Sequence, residues 1–147
     1  MAKIALALGG NIGDTAQYMA QAQALLAAGG VEIERVSAFY VTEPVDCPPG
    51  TPEFVNAALI AVWHDSPEAL LALCQRVERE LGRPAEHGVN QARTIDVDII
   101  LFDDLEVKKS NLTIPHPRAG EREFVLVPLA EIAPDWAAKL RCHAHRD

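Results

Sequence analysis

Apolar positions change their period along the chain, and each change marks an element. Lys3 to Leu8 is a short apolar run of strand character, followed by the turn Gly9-Gly10-Asn11-Ile12-Gly13-Asp14. Asp14 with Gln17 three residues later resembles a capping box, and Gly29-Gly30 supplies a stop, which predicts a helix over 15–28. Val31 to Thr42 is rich in β-branched and aromatic residues, with Val31, Ile33, Arg35 and Ser37 on one side, and reads as one strand. The Pro-rich stretch Val45 to Pro52 reads as a loop, and Phe54 to Trp63 as a second long strand. Ser66 and Pro67 supply an N-cap and a first helical residue, after which Leu70, Leu73, Cys74, Val77 and Leu81 recur at helical spacing until Gly82. A polar loop, Arg83 to Arg93, leads to a strand from Ile95 to Phe102, a turn at Asp103-Asp104 and a short strand around Glu106 to Lys108. A further loop holds Pro115-His116-Pro117, and Glu123 to Ile132 reads as a helix interrupted at Pro128.

The order strand, helix, strand, strand, helix, strand predicts a ferredoxin-like α+β sandwich, with helices packed on one face of a mainly antiparallel sheet. At 147 residues the chain fits one domain. Hydrophobic residues at 49% and charged residues at 23% exclude a disordered or low-complexity chain. Apolar runs such as Ala57 to Trp63 fall far short of the roughly 20 residues that span a bilayer, and the opening apolar run passes into Gly9-Gly10 as a strand would, not a leader. Cys47, Cys74 and Cys142 are odd in number and widely spaced, which fits a reducing cytoplasm. A net charge of −8 argues against broad electrostatic binding to nucleic acid or an anionic membrane. The basic residues are nonetheless concentrated: only Lys3 and Arg35 precede Arg76, and Arg76, Arg79, Arg83, Arg93, Lys108, Lys109, Arg118 and Arg122 crowd the next stretch. Such a segment suits a small polyanion.

The most informative segment is Arg93 to Phe102. In a strand Asp96 and Asp98 share a face about 7 Å apart, with Ile100 and Phe102 beyond them and Val97, Ile99 and Leu101 on the other side. Burying two unpaired carboxylates is costly, so the pair is either solvated at a strand end or holds a hard cation such as Mg²⁺. Arg93 lies just before the pair and Arg83 opens the same loop, and guanidinium forks match phosphate oxygens. No Walker A sequence is present, and Gly9 to Asp14 reads as a structural turn. His116 between two prolines is either a structural histidine or an imidazole presented to a cleft. Phe54 and Asn56 share a strand face, as core or as a stacking ring beside an amide for a flat heterocycle. The tail Cys142-His143-Ala144-His145 is assigned no function.

Together these residues resemble the 6-hydroxymethyl-7,8-dihydropterin pyrophosphokinase family of folate biosynthesis. The markers are Leu8 to Asp14, Ser37 to Pro44, Phe54-Val55-Asn56-Ala57-Ala58, Glu78 to Arg83, Arg93 to Phe102, Ile114 to Pro117 and Phe124 to Pro134. The resemblance implies transfer of pyrophosphate from ATP to a pterin alcohol, with release of AMP. It implies a catalytic set of Arg83, Arg93, Asp96 and Asp98, with Asp96 and Asp98 holding two Mg²⁺ ions. Gln75, Glu78, Arg83, Arg93, Ile99, Thr113, His116 and Arg122 match its nucleotide site. Thr42, Pro44, Val45, Phe54, Asn56 and Phe124 match its pterin pocket, with Phe54 and Phe124 flanking the ring. The loops Val45 to Pro52 and Pro84 to Ala92 correspond to segments that close over substrates. A cytoplasmic monomer is implied, with no nucleic-acid or membrane partner; the competing class is a nucleotide- or pterin-binding regulatory module without turnover. Asn90-Gln91-Ala92-Arg93 departs from the aromatic-Gly-Pro-Arg run common in the family, Gly10 replaces a common Ser, and Phe54 replaces a common Tyr. Residues 1–136 are expected to form the domain and 137–147 a flexible polar tail.

Overall fold

The computed structural model describes residues 1–11, 14–42, 53–82 and 95–144. Their elements are, in order, β1 (Ala2–Gly10), α1 (Thr15–Ala28), β2 (Glu32–Val36), β3 (Tyr40–Thr42), β4 (Phe54–Trp63), α2 (Pro67–Gly82), β5 (Asp96–Phe102), β6 (Val107–Lys109), β7 (Leu112–Ile114), α3 (Glu123–Ile132) and α4 (Pro134–Ala144). The main sheet runs β2-β4-β1-β5, β3 also pairs with β4, and every pairing is antiparallel. This is the ferredoxin-like α+β arrangement expected from the order of elements.

The capping chemistry places both early helices where the sequence put them. Asp14 Oδ1 accepts the Gln17 N–H at 3.2 Å, and Ser66 Oγ accepts the Ala69 N–H at 3.1 Å. Gly30, at φ 111°, supplies the left-handed residue that ends α1. Ile4, Leu6 and Leu8 of β1, Leu59 and Trp63 of β4, and Val97 and Ile99 of β5 pack with Met19 and Leu26 of α1 and Leu70, Leu73 and Val77 of α2.

Helices cover the second face as well, which the expectation of one covered face left out. Ala5, Ala58, Ile100 and Leu101 present an apolar surface there, and a sheet that is apolar on both sides needs a layer on each. Val125, Leu126, Leu129 and Ile132 of α3, with Ala137 and Leu140 of α4, supply it. The expected tail from residue 137 is therefore corrected: residues 137–144 continue α4, anchored because Ala137 and Leu140 are buried. Pro128 lies inside α3 without ending it, its ring buried. Among the described residues no helix is long and apolar enough to cross a membrane.

Two irregularities prepare the site. The strand expected over 31–42 is divided, because Ser37 leaves the ladder: its N–H donates to Ala58 O at 2.8 Å while its hydroxyl accepts the Ala58 N–H at 2.9 Å. A carboxylate from α3 holds the break, with Ala38 N–H donating to Glu131 Oε2 at 3.1 Å. In β5 the register against β1 shifts, so that Leu6 faces Ile99 whereas Ala5 faces Leu101. This bulge changes the side-chain parity. Leu101 joins Ile100 on the α3 face and Phe102 turns to the α1–α2 face, the reverse of the strict alternation expected from sequence.

Candidate active site

The α3 face of the sheet is lined at one end by small residues. Ala5 and Ala7 are followed on the same face of β1 by Gly9, and the space they leave is a cavity of about 640 Å³, within the range of small-molecule sites. Its lining includes Ala7, Gly9, Tyr40, Thr42, Phe54, Asn56, Asp96, Asp98, His116, Arg122 and Phe124.

Strand register orders these groups. Tyr40, Asn56, Gly9 and Asp96 lie opposite one another in one row across four strands, and Ala58, Ala7 and Asp98 form the next row. With neighbouring strands about 4.8 Å apart, Asn56 and Asp96 stand roughly 10 Å apart across the floor, enough for a flat bicyclic ligand. Asn56 is 7% exposed, and its Nδ2 donates to Tyr40 O at 3.1 Å and lies 3.5 Å from Thr42 Oγ1. Phe54 and Phe124 remain 38% and 37% exposed, open aromatic surface on the cavity wall. The Arg122 guanidinium carbon sits 5.4 Å from the Phe124 ring centroid, a cation–π distance that ties the charged end of the cavity to its aromatic wall.

At the acidic end Asp98 is exposed and Asp96 half-buried. Glu78 of α2 accepts the Val97 N–H at 2.7 Å, fixing the backbone between the two carboxylates. Their oxygens are hard donors, and among the described residues no cluster of three or more His, Cys, Asp or Glu side chains forms a closed metal cage. That donor set fits a Mg²⁺ ion, which takes one or two carboxylates and completes its shell with water and phosphate.

The β5 bulge delivers His116. Its N–H donates to Ile100 O at 3.1 Å, and its Nδ1 accepts the Arg118 N–H at 3.3 Å. Burial holds the imidazole below its ordinary pKa; Asp98 opposes this, and Arg122 and Arg118 reinforce it. A neutral ring whose Nδ1 accepts carries its proton on Nε2, which leaves a hydrogen-bond donor for a ligand.

Of the residues singled out from sequence, Thr42, Phe54, Asn56, Asp96, Asp98, His116, Arg122 and Phe124 come together in this cavity. Ile99 does not: it is buried in the α1–α2 core. Gln75 lies exposed on α2, Glu78 holds β5 from behind, and Thr113 is on β7, all outside the cavity lining. Pro44, Val45, Arg83, Arg93 and the two proposed closing loops lie outside the described residues. Sequence reasoning missed Ala7, Gly9 and Tyr40. The alternation of Ala5, Ala7 and Gly9 against Leu6 and Leu8 was the available signal.

The family model described as 7,8-dihydro-6-hydroxymethylpterin-pyrophosphokinase matches residues 5–134. A Bacillus subtilis 2-amino-4-hydroxy-6-hydroxymethyldihydropteridine pyrophosphokinase is 44% identical over 128 residues, covering 86% of this chain and 75% of that protein. A Synechocystis protein of the same name is 40% identical over 130 residues, covering 88% of this chain and 65% of the relative, so the chain spans slightly less than two thirds of it. Among solved structures, Plasmodium falciparum HPPK-DHPS aligns over 99% of this chain and 43% of its own, with a TM-score of 0.71 at 14% identity, a likeness of fold.

Proposed function

Because the chain belongs to the 7,8-dihydro-6-hydroxymethylpterin-pyrophosphokinase family, we propose that it transfers pyrophosphate from ATP to 6-hydroxymethyl-7,8-dihydropterin in folate biosynthesis. The observation that carries the reading is one cavity with two chemical ends: Phe54, Phe124 and Asn56 at the heterocycle end, and Asp96, Asp98, His116 and Arg122 at the phosphate end.

Phe54 and Phe124 would flank the pterin ring, and Asn56 would meet its polar edge. This orients the hydroxymethyl oxygen toward the β-phosphorus of ATP. A new O–Pβ bond forms as the hydroxyl O–H bond breaks and its proton passes to solvent, the bond from Pβ to the α,β-bridging oxygen breaks, and AMP leaves. Asp96 and Asp98 would hold two Mg²⁺ ions, which neutralise triphosphate charge when bound. His116 donates through Nε2–H to a phosphate oxygen, and Arg122 adds a fixed positive charge. Arg83 and Arg93 would contribute further guanidinium contacts, as would Pro44 and Val45 to the pterin. Catalysis then comes chiefly from in-line positioning and charge neutralisation. The free cysteines Cys74 and Cys142 support a cytoplasmic protein, which we take to act as a monomer.

Incubation with Mg-ATP and 6-hydroxymethyl-7,8-dihydropterin tests the proposal. AMP is expected only when the pterin is present, and Asp98→Ala should abolish its release. Binding of both substrates without AMP would reject turnover.

A further inference from the structure

Gly9 stands at the centre of the cavity floor, opposite Asn56 on β4 and Asp96 on β5. A Cβ placed there would lie 3.0 Å from Asn56 Oδ1, a crowded approach, and 3.7 Å from Val55 O, an ordinary contact. Backbone conformation does not demand the glycine, since among the described glycines only Gly30 has a positive φ. The demand comes from Asn56. That side chain is 7% exposed, and its Nδ2 donates to Tyr40 O at 3.1 Å. Tyr40 O only accepts, so the amide has one orientation, with Nδ2 toward β3 and Oδ1 toward Gly9.

We propose that Gly9 is a positioning residue for substrate recognition: the missing side chain lets Asn56 Oδ1 stand as a hydrogen-bond acceptor on the cavity floor. The floor thereby selects a flat heterocycle whose edge carries N–H donors. A side chain at position 9 would push the amide from its plane. This inference rests on the pterin reading above. It adds a determinant that touches no reacting atom and acts through Asn56.

The experiment compares wild type, Gly9→Ala, Asn56→Ala and the double variant. AMP release gives KM for pterin and for Mg-ATP, and ¹H–¹⁵N spectra follow the Asn56 side-chain amide. Gly9→Ala is expected to raise the pterin KM about tenfold, the scale of one misplaced hydrogen bond, and to leave the Mg-ATP KM within about twofold. The Asn56 amide signal should move. In the Asn56→Ala background the same substitution should add less than about twofold, because the group it acts through is gone. Equal factors in both backgrounds, or an unmoved Asn56 amide, would overturn the inference. If Gly9→Ala does not fold, recovery in the double variant supports the contact and continued failure overturns it. A wild type that never releases AMP rejects the pyrophosphokinase reading alone, and the amide signal still decides the role of Gly9.

Discussion

The carboxylate of Glu78 accepts the N–H of Val97 at 2.7 Å, so a helix on one side of the sheet fixes the strand residue between Asp96 and Asp98, whose side chains serve the other side. Glu78→Ala should cost about 1–3 kcal/mol in denaturant unfolding, the range for losing a hydrogen bond to a charged group, and weaken Mg-dependent ATP binding. Glu78→Gln keeps an acceptor and should recover part of both. Faster hydrogen exchange at Val97 in the alanine variant is the direct check; unchanged exchange would mean the bond does not hold the strand.

Ser37 substitutes its hydroxyl for a ladder carbonyl at Ala58. Both residues are buried, so Ser37→Ala leaves the Ala58 N–H without its acceptor, and a loss of about 1–3 kcal/mol is expected from chemical denaturation. Since the same break starts β3, the pterin KM should rise as well. A change below about 0.5 kcal/mol would show that the break is held by other contacts.

A neutral His116 has a signature in pH. The unfolded chain takes up a proton as pH falls through the ordinary imidazole value of about 6.5, while the folded imidazole, held below that value chiefly by burial, refuses it. Stability from this group is therefore present above pH 6.5 and lost as pH falls toward the folded pKa. The unfolding midpoint of the wild type should drop more between pH 7.5 and 5.0 than that of His116→Gln, and ¹⁵N shifts should report the Nε2–H tautomer. Equal drops, or a doubly protonated ring at pH 7, would contradict the assignment.

Cys74 and Cys142 should differ in reactivity. Burial, then the negative charges of Glu78 and Asp98, push the Cys74 thiol up to about 12, so at pH 9 only about one molecule in a thousand carries the thiolate. Cys142 is exposed. Alkylation of the native protein, mapped by mass spectrometry, should modify Cys142 and spare Cys74 until denaturant is added; early modification of Cys74 would show that α2 opens readily.

Much of this architecture is legible from local chemistry. Asp14, Gly30, Ser66 and Pro67 announce helix ends through groups that act within three residues, and the helix boundaries follow. The ladder of Asp96 and Asp98 is legible too, because their shared face depends only on period 2. What local reasoning cannot see is a register set by another strand. The β5 bulge arises from how β5 pairs with β1, and it reverses Leu101 and Phe102. Ile99 follows from the resemblance to a family position, yet its side chain faces the core. Gly9 looked like the start of a turn because its partner Asn56 lies 47 residues away by number, and only the sheet brings them together. The end of the chain misled for a different reason: the large apolar residues of α4 are Trp136 and Leu140, so its helix is hard to read, but Ala137 and Leu140 suffice to dock it.

The central place of β1 also sets a timetable. Lys3 N–H donates to Asp103 Oδ1 across 100 residues of sequence, and both long partners of β1 lie far downstream. During synthesis at about 5–20 residues per second, β1 waits roughly 5–20 s for its second neighbour. Its apolar row of Ile4, Leu6 and Leu8 stays without that neighbour throughout the interval, so the sheet closes late and the nascent chain, not the folded one, is where a chaperone has most to gain.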